Sequence, residues 1–154
     1  MTTTDLAKLI ETVLPRSKPG HSHPATRSFQ AIRIAVNKEY KELFDGLFSA
    51  EKVLSSGGYL VLVTFHSIED RIVKRFIQAR TGKLNSTSRY MPGNDDIEAQ
   101  FTKVTRKAVK PSIDEISINP RSRSAKLRIA KRTNIKPGQS LDLEELNVPI
   151  VGGY

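Results

Sequence analysis

Seven residues, Tyr59-Leu-Val-Leu-Val-Thr-Phe65, form an almost unbroken apolar and β-branched run between a Gly57-Gly58 pair and a polar cluster, and no other segment constrains the fold as much. The run is too short for a helix and lacks the alternation of a half-exposed strand, so it predicts a central parallel strand covered on both faces. Directly after it, Ile68, Ile72, Val73, Phe76 and Ile77 fall on one stripe at helical spacing. Ser67 is placed to cap that helix, its hydroxyl accepting from the Asp70 N–H while the Asp70 carboxylate reaches back. A strand running into a helix gives an α/β protein with His66, Ser67, Glu69 and Asp70 at the carboxyl end of a strand, the edge where open α/β sheets bind ligands. Capping is a sufficient explanation for Ser67 and Asp70. It does not require His66, which is therefore a candidate site residue in its own right.

The chain has 154 residues, enough for one domain or two small ones, and folding a chain of this size buries roughly 70% of the unfolded surface. It has no cysteine, and its three histidines, His21, His23 and His66, lack a ligand-like spacing. We expect no disulfide, no metal and a reducing compartment. No apolar run approaches the roughly 20 residues that cross a bilayer, and the amino-terminal residues lead into a helix, so neither a membrane segment nor a signal sequence is expected.

The net charge of +9 is concentrated in one segment: Lys103 to Lys136 holds 11 Lys and Arg against Asp114 and Glu115. The remaining residues cancel. A local basic stripe poor in acidic residues is the footprint of a polyanion partner, with nucleic acid the first candidate and a solvated face the alternative.

Along the chain, Thr4 is expected to cap a first helix that Pro15 ends, with a loop from Arg16 to His23. A long helical pattern then opens at His23-Pro24, with Phe29, Ile32, Val36, Tyr40, Leu43 and Leu47 stepping by three and four and a break or bend at Asn37. It ends at the Gly57-Gly58 turn. Gly82 to Gln100, punctuated by Pro92-Gly93-Asn94, reads as a long loop. Phe101 to Val109 is compatible with a strand, Ser112 and Glu115 form a capping box for a short helix, and Asn119-Pro120 stops it. Ser124 to Lys131 alternates, with Ala125, Leu127 and Ile129 on one side and Lys126 and Arg128 on the other, which predicts a strand whose open side is basic. Ile135 to Tyr154 is expected to be a peripheral tail. The resulting divisions are a helical segment over 1–56, strands and helices over 57–132 and a tail over 133–154.

Three blocks, His23-Pro-Ala-Thr-Arg-Ser-Phe-Gln-Ala-Ile-Arg-Ile-Ala-Val-Asn37, Phe65-His-Ser-Ile-Glu-Asp-Arg-Ile-Val-Lys-Arg-Phe76 and Asn119-Pro-Arg-Ser-Arg-Ser-Ala-Lys-Leu-Arg128, together resemble the MraW/RsmH family. These are S-adenosylmethionine-dependent methyltransferases that modify a cytosine N4 in small-subunit ribosomal RNA. The resemblance runs from Thr2 to about Arg132. It implies the carboxy-terminal part of a class I, Rossmann-like methyltransferase sheet, preceded by helices of an inserted helical domain. The departures of the tail and of the Gly82 to Gln100 loop from compact bacterial patterns point to a mitochondrial member of the family, in the matrix, with the cytoplasm as the alternative.

Class I enzymes hold the cofactor with a Gly-rich loop after the first strand and an acidic residue after the second. The nine glycines include no G-x-G, and Gly57-Gly58 precedes its strand instead of following it. S-adenosylmethionine is thus the cofactor the family implies, and this chain by itself is not expected to bind it. Asn119-Pro120-Arg121 does not match the Asn-Pro-Pro-Tyr motif of amino methyltransferases. The resemblance gives His66, Ser67, Glu69 and Asp70 a place in the pocket for a flipped cytosine. Arg27, Arg33, Arg71, Arg121, Arg123, Lys126 and Arg128 are the candidate RNA contacts. Small-subunit rRNA is the expected partner, along with a partner chain supplying the missing strands. A non-catalytic RNA-binding fragment and an inactive truncated product are the competing readings.

Overall fold

The computed structural model describes residues 2–14, 23–81 and 98–139, together with Leu141 and Leu146. His21, Pro15, most of the loop expected before His23 and most of that expected over Gly82 to Gln100 lie outside these residues. The described residues through Glu39 form one compact unit, and those from Tyr40 onward form a second.

In the first unit, helix α1 (Thr3–Val13) is capped by Thr2, two residues before the expected cap. Thr2 Oγ1 accepts from the Asp5 N–H at 3.2 Å and the Asp5 carboxylate accepts from the Thr2 N–H at 2.8 Å, a reciprocal box that Thr4 has no acidic partner to form. Helix α2 (Thr26–Asn37) stops where Lys38 adopts a left-handed φ of 51°, and α3 (Glu39–Val53) restarts at once. The expected break at Asn37 is therefore present, and it changes which residues are covered. A single stripe does not run through both helices: α2 buries Ile34 and exposes Ile32 and Val36, whereas α3 buries Tyr40, Phe44, Leu47 and Glu51. One left-handed residue resets the helical phase, so a period counted across it fails.

The second unit is built around three strands and one helix. Gly57, at φ 83°, makes the turn that aims the chain into β1 (Tyr59–Thr64), and α4 (Ser67–Arg80) follows. Next come β2 (Phe101–Lys103), the short helix α5 (Ile113–Ile118), a 3-10 turn over Pro120–Ser124 and β3 (Lys126–Arg132). Ser112 caps α5 by accepting from the Glu115 N–H, one half of the expected box. The expected Phe101 to Val109 strand is only three residues long, with Val109 rejoining through one bridge to Leu127.

The sheet order is β1-β3-β2 and both pairings are antiparallel. The expectation of a central parallel strand covered on both faces is corrected here: among the described residues β1 is an edge strand, and only one of its faces is covered. Leu60 and Thr64 are buried, whereas Tyr59, Val61 and Val63 are each 55% exposed. The composition of the run misled because β-branched residues stand on both its faces. The alternation lies in the covering layer, which the run itself does not report.

That layer is α4. Its Ile72, Val73 and Phe76 are completely covered, with Leu60, Ala130 and Phe101 of the sheet and Leu47 of α3 also buried. Edge-to-face contacts link Phe44 to Phe48 (4.9 Å) and Phe48 to Phe76 (5.4 Å), and Phe76 lies 6.3 Å from Phe101. Each such side chain contributes about 1.5–3 kcal/mol through burial.

Three described residues after β3, Gly138, Gln139 and Leu146, pack into the second unit. Glu51 and Arg80 form a buried ion pair at 3.0 Å, and the Gly138 N–H donates to Glu51 while Arg80 donates to the Gln139 carbonyl. A Cβ at Gly138 would meet the Arg80 guanidinium, so a larger residue there would displace it. Leu146 is buried as well.

Candidate functional site

The carboxyl end of β1 and the amino end of α4 bring the four predicted residues together, but with structural tasks redistributed. The cap is His66, not Ser67: the Ile68 N–H approaches His66 Nδ1 at 3.4 Å, and Glu69 accepts from the N–H groups of Phe65 and His66, both at 3.2 Å. The box is shifted one residue back from the expected one. Glu69, one position before Asp70, reaches the strand end because helix N3 counted from an extended His66 is residue 69. His66 thus has the capping role expected of its neighbour, and Ser67 is exposed at the start of the helix.

Freed from capping, Asp70 faces β3. Its Oδ1 accepts from Arg128 Nε at 2.7 Å, and its Oδ2 accepts from Arg128 Nη2 at 3.2 Å and from Lys126 Nζ at 3.0 Å. Burial raises the pKa of this carboxyl, but the hydrogen bonds and charges of Arg128 and Lys126 outweigh it, so the pKa lies below the usual aspartate value. One carboxylate between two cations leaves one net positive charge, held rigidly at the strand end.

These ion pairs also correct the expectation that the basic side of β3 is its open side. Lys126 and Arg128 face α4, and the outward side carries Leu127 and Ile129, in register with Val63 and Val61. Alternation separates the two sides of a strand correctly, but a buried carboxylate reversed which one is covered. Of the other predicted RNA contacts, Arg71, Arg121 and Arg123 are exposed in the second unit. In the first unit Arg27 is exposed at the start of α2, and Arg33 pairs with Glu39 at 2.8 Å. His23, at the same helix start, accepts from the Ala25 N–H and lies 2.7 Å from Glu11.

One polar group at the strand end escaped the sequence reading. The Thr64 hydroxyl is buried and has no hydrogen-bond partner among the described residues, an arrangement that costs about 1–3 kcal/mol unless water or a ligand satisfies it. Its signal in the sequence was a lone hydroxyl in an aliphatic strand.

A cofactor cradle is not found among these residues. The Gly57 N–H donates to the Arg132 carbonyl at 2.9 Å, and a Cβ on Gly58 would lie 2.9 Å from the Ser55 carbonyl oxygen, so the glycine turn is occupied by the chain's own backbone. At the other end of β1, where a cofactor loop belongs, stands the His66–Glu69 cap. Among the described residues there is no group of three metal-binding side chains and no helix long and apolar enough to cross a membrane.

Residues 1–133 match the sequence model of the MraW methylase family. The chain belongs to the MraW methylase family. Its relatives include proteins named ribosomal RNA small subunit methyltransferase H. That of Ruegeria sp. (strain TM1040) is 56% identical over 148 residues, covering 96% of this chain and 45% of the relative. Those of Roseobacter denitrificans and Jannaschia sp. (strain CCS1) are 53% and 52% identical, covering 97% and 99% of this chain and 45% and 46% of theirs. The chain thus spans less than half the length of these MraW-family relatives.

Proposed function

We propose that this chain is the carboxy-terminal portion of an S-adenosylmethionine-dependent methyltransferase acting on a cytosine N4 of small-subunit rRNA, and that the cofactor is held by the remaining part of the family's sequence. The observation that carries this is the half-finished sheet. Among the described residues β1 has an unpaired edge and a bare face of Tyr59, Val61 and Val63, in a chain spanning 45% of its Ruegeria relative. Exposed apolar strand faces and free edges are where further structure packs. On this reading the sheet continues beyond β1 in the Rossmann-like manner, through a partner segment that supplies the missing strands.

The chain's own contribution is positioning. Amine methylation needs an unstacked base held by its edge and aligned for in-line transfer, with the cofactor supplying the methyl group. His66 and Glu69 fix the start of α4, Asp70 holds Lys126 and Arg128 in place, and the Thr64 hydroxyl is available beside them. Arg27, Arg33, Arg71, Arg121 and Arg123 are proposed RNA contacts from the surrounding surface. The bacterial relatives align over the loop and tail too, which supports the cytoplasm over the mitochondrial matrix as the setting.

The test is methyl incorporation from labelled S-adenosylmethionine into small-subunit rRNA, with this chain alone and mixed with the rest of a relative's sequence. Activity only in the mixture is expected. Activity of the chain alone would refute the division of labour, and a mixture that assembles without activity would favour the non-catalytic RNA-binding reading.

A further inference from the structure

A second basic feature lies two helical turns along α4 from the strand end. Lys74, Ile77 and Gln78 of α4, Lys103 of β2, Thr105 and Arg106 after it and Arg128 of β3 line an open recess of about 320 Å³, counted out to solvent. Four of these seven residues are cationic and, among the described residues, none is acidic. The sequence does not announce this convergence, because Lys74, Lys103, Arg106 and Arg128 come from three separate segments. Helical spacing explains part of it: Asp70, Lys74 and Gln78 follow one another at intervals of four, so the stripe that binds Arg128 through Asp70 continues into the recess.

Arg128 connects the two places. Its Nε and Nη2 donate to Asp70, while a guanidinium carries five N–H donors in a fixed fork, so Nη1 is left to face elsewhere. Asp70 fixes the plane of the guanidinium and, shared with Lys126, does not neutralise the cluster. Thr105 Oγ1 accepts from the Ile129 N–H at 2.9 Å, which ties the rim carrying Arg106 to β3. Lys74 and Arg106 are exposed at the rim. A concave surface with several cations on a rigid support and polar Gln78 and Thr105 beside them suits a phosphodiester, whose charge and acceptor oxygens need several donors converging on one point.

We propose that this recess seats a backbone phosphate of the RNA substrate, with Lys74 and Arg106 as direct contacts and Arg128 as the oriented floor. The inference deepens the proposed function by giving the RNA strand an anchoring point on the α4 face, distinct from the base pocket at the strand end. It assigns binding to Lys74 and Arg106, residues outside the Arg121 to Arg128 stretch.

The experiment compares two charge-matched double variants of the 154-residue chain, Lys74→Gln/Arg106→Gln and Lys8→Gln/Lys52→Gln, in binding a single-stranded RNA oligomer across a salt series. Losing two phosphate contacts should reduce the slope of log affinity against log salt by about 1.4 and weaken binding roughly 10- to 30-fold near 0.1 M salt. The Lys8/Lys52 variant should stay close to the parent protein. Equal losses in both variants would mean bulk charge alone and would overturn the proposal, as would parental binding by the Lys74/Arg106 variant or no RNA binding by the parent. A nucleoside monophosphate competing as well as the oligomer would assign the recess to a free small phosphate and also overturn it. These outcomes are separable from the proposed function: methyl transfer by the assembled enzyme stands or falls without reference to the recess, and phosphate binding is read without any cofactor.

Discussion

The two faces of the three-stranded sheet both carry large apolar residues and meet opposite fates. Toward α4, Leu60, Ala130 and Phe101 are sealed by Ile72, Val73 and Phe76. On the other side Tyr59, Val61 and Val63, with Val109 beyond Leu127, remain at about half exposure. A chain selected to fold as a finished unit would carry polar residues on that second face. On the proposed reading its apolar character belongs to a sheet with two covering layers, of which the described residues supply one. The difference also explains why the polar chemistry is confined to one side: Asp70, Lys126, Arg128 and the recess all lie on the α4 face, where a rigid helix orients them.

The contrast breaks most readily in the packed face. Phe76→Ala should cost about 3–5 kcal/mol in denaturant unfolding, because it empties the centre of the aromatic cluster. A loss below 1 kcal/mol would show that α4 is not the layer that stabilises the sheet. Nearly as large is Glu51→Ala, which leaves Arg80 buried without its carboxylate and should cost about 3–5 kcal/mol.

Smaller, and dependent on pH, is Asp70→Asn. The folded pKa of Asp70 is below its unfolded value, so its contribution is present above the unfolded value, near pH 4, and is lost as pH falls through the folded value. Chemical unfolding should show a deficit of about 1.5–3 kcal/mol at pH 7, shrinking below pH 4 as the parent protein loses the same interaction. A deficit that persists unchanged at pH 2 would contradict the ion-pair account.

The smallest stability effect belongs to the open face. Val61→Thr with Val63→Thr should change the stability of the isolated chain by no more than about 0.5 kcal/mol per site, while reducing self-association seen by sedimentation. A loss comparable to that of Phe76→Ala would mean that this face is already covered.

What the sequence disclosed follows the same division. Local signals were legible: the Gly57 turn, the α4 stripe, the Ser112 cap, and the break between α2 and α3 all depend on residues within one or two turns of each other. Features requiring distant partners were not. The sheet's antiparallel order depends on β3, some 65 residues after β1, and the basic side of β3 is covered only because Asp70 lies across from it. The cap moved from Ser67 to His66 because Glu69 reached back, leaving Asp70 for its longer-range task. The role of Gly138 against Arg80 is equally non-local. His66, Ser67, Glu69 and Asp70 lie together where β1 runs into α4, whereas the meeting of Lys74 with Arg106, itself within the basic segment, depends on the packing of α4 against β2 and β3.

The most direct test of the two-faced account is a calorimetric titration of the chain with the remaining part of a relative's sequence, using the parent protein and a Val61→Lys/Val63→Lys variant. The parent should bind saturably at one to one. Two lysines driven into an apolar interface should weaken binding by at least about 100-fold, a cost of some 2.7 kcal/mol or more. No association of the parent chain, or equal affinity of the two proteins, would show that the bare face of β1 is not an interface with the rest of the family's sequence.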